Sequence, residues 1–246
     1  MARADEDAGT QGGGGGGGAA GPGGHAHGAG ITRVVLRPLG SPLPLSFLAF
    51  GTGMLVSGAL DLGWLTDADR PGVARVLLGF VVPLQALPAV LAFLSRDTAG
   101  GTALAFFAGS WVLGGLHQLA GAPEAGARGL GLFFLAAALI ALLLAVVARP
   151  AKPFFALILA LASGRFALSG LAEWGAGAGL RPVAGGVALA IVLCAFYGAL
   201  ALLLEDTRQR TVLPLLRRGG AKRAMEGDLA EQLARVTNEA GVRQQL

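Results

Sequence analysis

Between residues 43 and 204 the chain reads as six apolar blocks, 43–65, 73–94, 100–119, 129–148, 154–174 and 182–204. Each is about 20 residues long, and a helix rising 1.5 Å per residue crosses a hydrocarbon core of ~30 Å with that length. Polar or proline-bearing stretches separate the blocks. Residues 67–72 divide the first pair, Arg96 and Asp97 the second, and 121–128 the third. Arg149, Pro150, Ala151, Lys152 and Pro153 divide the fourth pair, and 175–182 the fifth. None of these connections is long enough to hold a soluble domain.

The pattern predicts an all-α polytopic membrane protein in three parts. Residues 1–37 form a glycine-rich tail with an unbroken glycine run at 12–18, expected to be disordered because it has almost nothing apolar to bury. Residues 38–206 form a six-helix transmembrane domain. Residues 207–246 form a basic tail in which Asp228 caps a short helix with Leu229, Leu233 and Val236 on one face.

Composition strengthens this reading. Soluble domains carry about a quarter charged residues; here the share is 14%, with 54% hydrophobic, too little charge to cover a water-facing surface. The single cysteine, Cys194, lies inside a block, which excludes a disulfide framework and a cysteine-based zinc site. His25 and His27 in a glycine-rich tail do not make a metal site either, and no metal or cofactor is expected. The net charge of +4 has a topological meaning. Of the 19 lysines and arginines, 14 fall in the two tails and in the loops after the second and fourth blocks. The opposite loops carry only Arg70, Arg75, Arg128 and Arg181. The positive-inside rule then places both termini in the cytoplasm of a multi-pass protein of the cell membrane. Arg217, Arg218, Lys222 and Arg223 fit a tail held against anionic lipid in the bilayer, and nucleic acid is not an expected partner.

Candidate chemistry is sparse. The blocks contain no HExxH, GxSxG or phosphate-loop pattern, and His117 is their single histidine, so an enzyme is not expected. Arg165 stands out near the middle of the fifth block, where an arginine costs at least ~2.5–3.5 kcal/mol to insert. Two uses offset such a cost. A guanidinium at depth attracts a small carboxylate and binds it bidentately, or it ties helices together through Glu173 two turns on or through free carbonyls. Gln85, between Pro83 and Pro88, either contacts a solute or bonds a neighbouring helix. Asp61, Glu173 and His117 fall toward the outer ends of their blocks, as vestibule residues or as hydrated span ends. Glycines recur in the first, third and sixth blocks and permit close helix approach within or between protomers.

Three stretches in order resemble the acetate uptake transporter family. Where that family opens its first span with Asn-Pro-Ala-Pro-Leu-Gly-Leu, this chain has Ser41, Pro42, Leu43, Pro44, Leu45, Ser46 and Phe47, then Phe50 and Gly51. Both prolines and the leucine match; Ser41 and Ser46 replace the asparagine and glycine. The family's second-span glutamine corresponds to Gln85, although Phe80, Val81 and Val82 stand where a Tyr-Gly-Gly would precede it. Its Asn-Thr-Phe-Gly-x-Thr and tryptophan correspond to residues 97–102 and Trp111. Its sixth-span Ala-Trp-Tyr-x-Ala resembles Ala195, Phe196, Tyr197, Gly198 and Ala199, followed by Leu213 and Pro214.

The resemblance covers residues 37–214. It implies a six-helix protomer in a homohexamer, one path per protomer with an apolar constriction, and proton-linked or channel-like passage of acetate or succinate. The expected path lies near mid-depth among Ser41, Pro42, Pro44, Leu45, Gln85 and Tyr197, with Arg165, which belongs to none of the family's motifs, adding an attractive charge. Phe50, Phe80 and Phe196 are the candidates for the constriction. Two other readings stay open: passage of another small solute such as ammonia, and a non-transporting sensor or scaffold that works through its tails.

The charge count makes a direct prediction. In a Cys194→Ala background, cysteines placed at Thr10 and Thr237 should resist an impermeant maleimide in intact cells, while one at Ala122 should label. Labelling at both tails would reverse the orientation, and labelling at one would change the number of spans.

Overall fold

The computed structural model describes residues 40–120, 127–177, 179–208 and 210–218. The expectations for the glycine-rich tail, its histidines and the helix after Asp228 lie outside these residues. Among the described residues the regular structure is entirely helical, and six helices are long and apolar enough to cross a membrane. They are α1 (Leu43–Asp61), a compound second span (Asp67–Leu94), α4 (Thr98–Ala120), α5 (Ala127–Ala148), α6 (Pro153–Glu173) and α7 (Leu180–Arg208).

The second span begins earlier than the hydropathy pattern suggests. Residues 67–72, expected to be a break, start the helix with a 3-10 turn (Asp67–Asp69) and α2 (Arg70–Val76). The cause is local capping. The Thr66 backbone N–H and hydroxyl both donate to the Asp69 carboxylate at 2.9 Å, and Pro71 occupies the first helical turn, where its missing N–H costs nothing. The preceding turn ends α1 at Asp61 and passes through Gly63 at φ +74°, a left-handed conformation that glycine adopts without strain.

Within the second span, Leu77–Val81 forms a π-helical turn before α3 (Val82–Leu94), and the Val82 N–H donates to the Leu77 carbonyl. Pro83 and Pro88 follow in α3. The wider turn just before Pro83 is a usual way of accommodating a residue that removes a backbone donor and crowds the preceding carbonyl.

The helices pack chiefly as α1 on α7, α5 on α6 and α3 on α4, with α6 and α7 joining the first two pairs. Glycines set the closest approaches. A Cβ on Gly170 would lie 2.9 Å from the Gly131 carbonyl oxygen, and one on Gly131 would lie 3.0 Å from that of Gly170. Between α1 and α7, a Cβ on Gly185 would lie 3.1 Å from the Gly58 carbonyl oxygen. Gly53 and Gly115 also pack inside the protomer, against Trp111 and Leu78.

The loops after the second and fourth spans gather at one end of the bundle with residues 210–218. Lys152 Nζ pairs with Asp97 at 2.5 Å, Arg217 pairs with Glu205 of α7, and the Arg218 N–H donates to the Ala151 carbonyl at 3.2 Å. The other end, where α1, α4 and α6 finish and α7 begins, opens into a cavity.

The glycine contacts can be tested by overpacking. Gly170→Val places two methyl groups against backbone that cannot yield, at a cost of ~1–3 kcal/mol. Its melting temperature in detergent should fall clearly below wild type. Gly164→Ala, where an added Cβ meets nothing within 4 Å, should melt like wild type.

Candidate functional site

A cavity of about 120 Å³ opens between α1, α2, α4, α6 and α7. Its wall is polar: Asp61 from α1, Arg70 from α2, His117 and Gln118 from α4, Glu173 from α6 and Arg181 from α7. Its deeper lining is apolar, with Met54, Leu77, Trp111, Phe134 and Phe166, and Arg165 lies beside Phe166. Three arginines and two carboxylates line this vestibule, and Asp67 beside Arg70 supplies the third carboxylate.

Each arginine has a partner. Arg70 donates Nε–H to Asp67 at 2.7 Å and an Nη1–H to Gln118 Oε1 at 2.7 Å. Arg181 pairs with Glu173 at 3.1 Å. Arg165 pairs with Asp61 through Nη2 at 2.9 Å. The tie from Arg165 therefore runs to α1 and not to Glu173, which is engaged by Arg181. Eight residues along one helix amount to about 12 Å of rise, too far for the Glu173 side chain to reach back, whereas the last residue of α1 lies directly across. Arg165 is 8% exposed, and its Nε–H is buried with no acceptor among the described residues.

Beneath Arg165 the bundle is filled with rings. Phe50 packs on Phe107 at a centroid distance of 4.7 Å and on Trp111 at 5.9 Å. Phe166 stacks on Phe107 at 6.2 Å and on Phe134 at 6.0 Å. Of the three phenylalanines expected at a constriction, only Phe50 belongs to this cluster. Phe80 and Phe196 lie on the exterior of the protomer, 48% and 39% exposed. Phe107, Phe134 and Phe166 complete the plug instead. One signal for part of it was present in the sequence, since Phe107 and Trp111 stand four residues apart on one face of α4.

Past the rings lie two orphaned polar side chains. Gln85 is 1% exposed and neither its Oε1 nor its Nε2 has a partner among the described residues; the same holds for Ser46 Oγ. Leu43 packs against the cluster that Ala89 and Ala92 of α3 form with Leu104 of α4. α1 and the second span run antiparallel, so Ser46 near the start of α1 and Gln85 in α3 both fall in the half of the bundle away from the vestibule. Buried amides are normally satisfied, so an unpartnered one marks a place for water or a solute.

The remaining expected residues lie elsewhere. Ser41 is exposed, and Pro42, Pro44 and Leu45 start α1, with Pro42 at its cap and Pro44 in its first turn. The Tyr197 hydroxyl donates to the Pro214 carbonyl at 3.0 Å, and its ring lies 5.5 Å from that of Phe154 at the start of α6. Arg165 is 11 residues farther along α6, or about 17 Å. The expected residues therefore do not share one mid-depth site. They are spread over successive levels, with Arg165 at the vestibule, Phe50 in the plug, Gln85 past it, and the first-span motif and Tyr197 toward the opposite end.

Comparison with known proteins bears on this arrangement. No protein of curated function matches the chain. Among solved structures, the one described as "Structure of the bacterial acetate channel SatP" superposes with a TM-score of 0.65 and 20% sequence identity. The alignment covers 72% of this chain and 99% of that one, a likeness of fold. The profile of the GPR1/FUN34/yaaH family matches residues 23–217, most of the length and all six spans. The chain therefore belongs to the GPR1/FUN34/yaaH family, the acetate uptake transporter family that its motifs resemble.

Proposed function

We propose that this protein conducts small carboxylates of the acetate class across the cell membrane. The observation that carries the proposal is Arg165, a buried guanidinium that lines the vestibule and keeps an Nε–H without an acceptor among the described residues. A buried guanidinium attracts an anion that enters the vestibule. A fork of N–H donors is matched to a carboxylate in both charge and shape. The ring plug beneath then admits only a permeant small enough to shed its water and pass between aromatic faces, and Gln85 and Ser46 supply hydrogen bonds beyond it. Family membership and the fold shared with a bacterial acetate channel support the same class of permeant.

Ammonia is a weaker fit, because a neutral solute makes no use of a buried guanidinium. A sensor or scaffold acting through its tails would need neither the vestibule nor the orphaned Gln85. Homohexamer assembly, acceptance of succinate and linkage to protons are part of the proposal, supported by the resemblance to the family. So is an orientation with both termini in the cytoplasm, supported by the charge count.

Uptake of radiolabelled acetate by purified protein in liposomes, with and without a pH gradient, tests this reading. The expected result is a saturable, protein-dependent flux that short carboxylates compete for; absence of such flux contradicts it. Arg165→Gln should lower acetate flux at least about tenfold, the effect of ~1.4 kcal/mol on a barrier, with assembly near wild type. Arg165→Lys should recover only part of the flux, because a point charge does not reproduce the fork. Normal transport by the Gln variant would assign Arg165 to helix tying alone.

A further inference from the structure

The Arg165–Asp61 pair is an incomplete one. Asp61 takes a single N–H, from Nη2, at 2.9 Å. The adjacent donor, Nε–H, is buried with no acceptor among the described residues. Nε–H and Nη2–H point the same way from one edge of a guanidinium, and together they form a fork that a carboxylate can bridge with both oxygens. Asp61 does not bridge it. It is the last residue of α1, so its carboxylate is held by a short side chain on a fixed backbone.

We infer that Asp61 is a tethered carboxylate that occupies Arg165 at rest and is displaced by the permeant carboxylate, so that it acts as a built-in competitor setting the affinity of the path. This rests on the carboxylate reading above. A free carboxylate has no tether and takes both donors of the fork, which gives it two charge-assisted hydrogen bonds in place of one. The exchange conserves charge, because one carboxylate leaves the guanidinium as another arrives.

The displaced Asp61 is not stranded. Its side chain is 25% exposed against 10% for Arg165, so it is the wetter partner and can turn toward the vestibule. Arg181 and Arg70 line the same cavity and both act on Asp61 electrostatically. That arrangement suits an aspartate with two stations better than a permanent structural tie. A tie would be expected to close the fork completely, since a buried pair repays its desolvation only when its remaining donors are satisfied.

The inference is tested with Asp61→Asn and Asp61→Glu in the full-length protein, reading acetate flux in liposomes and melting temperature in detergent. Asparagine removes the competing charge, so the half-saturating acetate concentration should fall at least about tenfold. Added acetate should also raise the melting temperature of the Asn variant more than that of wild type, since a ligand stabilises the state it binds. Glutamate restores a carboxylate, and its half-saturation should lie between those of the Asn variant and wild type. Unchanged or weaker half-saturation in the Asn variant overturns the inference, as does a failure to assemble that acetate does not rescue. Absence of acetate flux in wild type would instead overturn the carboxylate reading itself.

Discussion

One positive charge organises the vestibule half of this bundle. Arg165 is placed where a guanidinium cannot face lipid, so the protein must supply its counter-charge from within. Asp61 provides the charge across 104 residues of sequence, which fixes the end of α1 against α6. α1 in turn packs on α7, and α6 on α5. The pair therefore sits where two of the principal helix contacts meet. The polar vestibule lies on one side of it and the ring cluster on the other.

The opposite end is held by different means. Lys152 with Asp97 and Arg217 with Glu205 tie the loops and residues 210–218 to the bundle, and the Tyr197 hydroxyl caps the Pro214 carbonyl. These lysines and arginines belong to the excess from which the orientation was read. The same residues thus support the proposed orientation and close one end of the bundle. Glu205, 3% exposed, is the deepest acid among the described residues and depends on Arg217 for its charge partner.

Much of the fold was legible because bilayer thickness imposes a length on each span, and length survives in a hydropathy pattern whatever the helices pack against. The start of the second span was not, because its signal is a capping arrangement of Thr66 and Asp69 inside a stretch whose composition reads as a loop. The site was legible only in part. Arg165 and Gln85 announced themselves, since a charge or amide in an apolar block is costly wherever it points. The partner of Arg165 did not, because it follows from α1 lying across from α6. Which phenylalanines face inward was equally hidden. A helix in lipid is apolar on every side, so Phe80 and Phe107 look alike in sequence and periodicity cannot separate them. Levels along the membrane normal, which place Tyr197 about 17 Å from Arg165, come only from knowing which helix ends meet.

The account turns on whether a permeant carboxylate reaches the Arg165 fork. The most direct measurement is nuclear magnetic resonance of protein labelled with 15N-arginine, with the Arg165 Nε–H signal identified by its loss in Arg165→Gln. Titration with acetate should move that signal and saturate over the concentration range that saturates flux, while chloride at equal ionic strength should leave it much less changed. An Nε–H signal that stays in place at acetate concentrations saturating transport would contradict the account, because the permeant would then cross without meeting the charge around which the site is built.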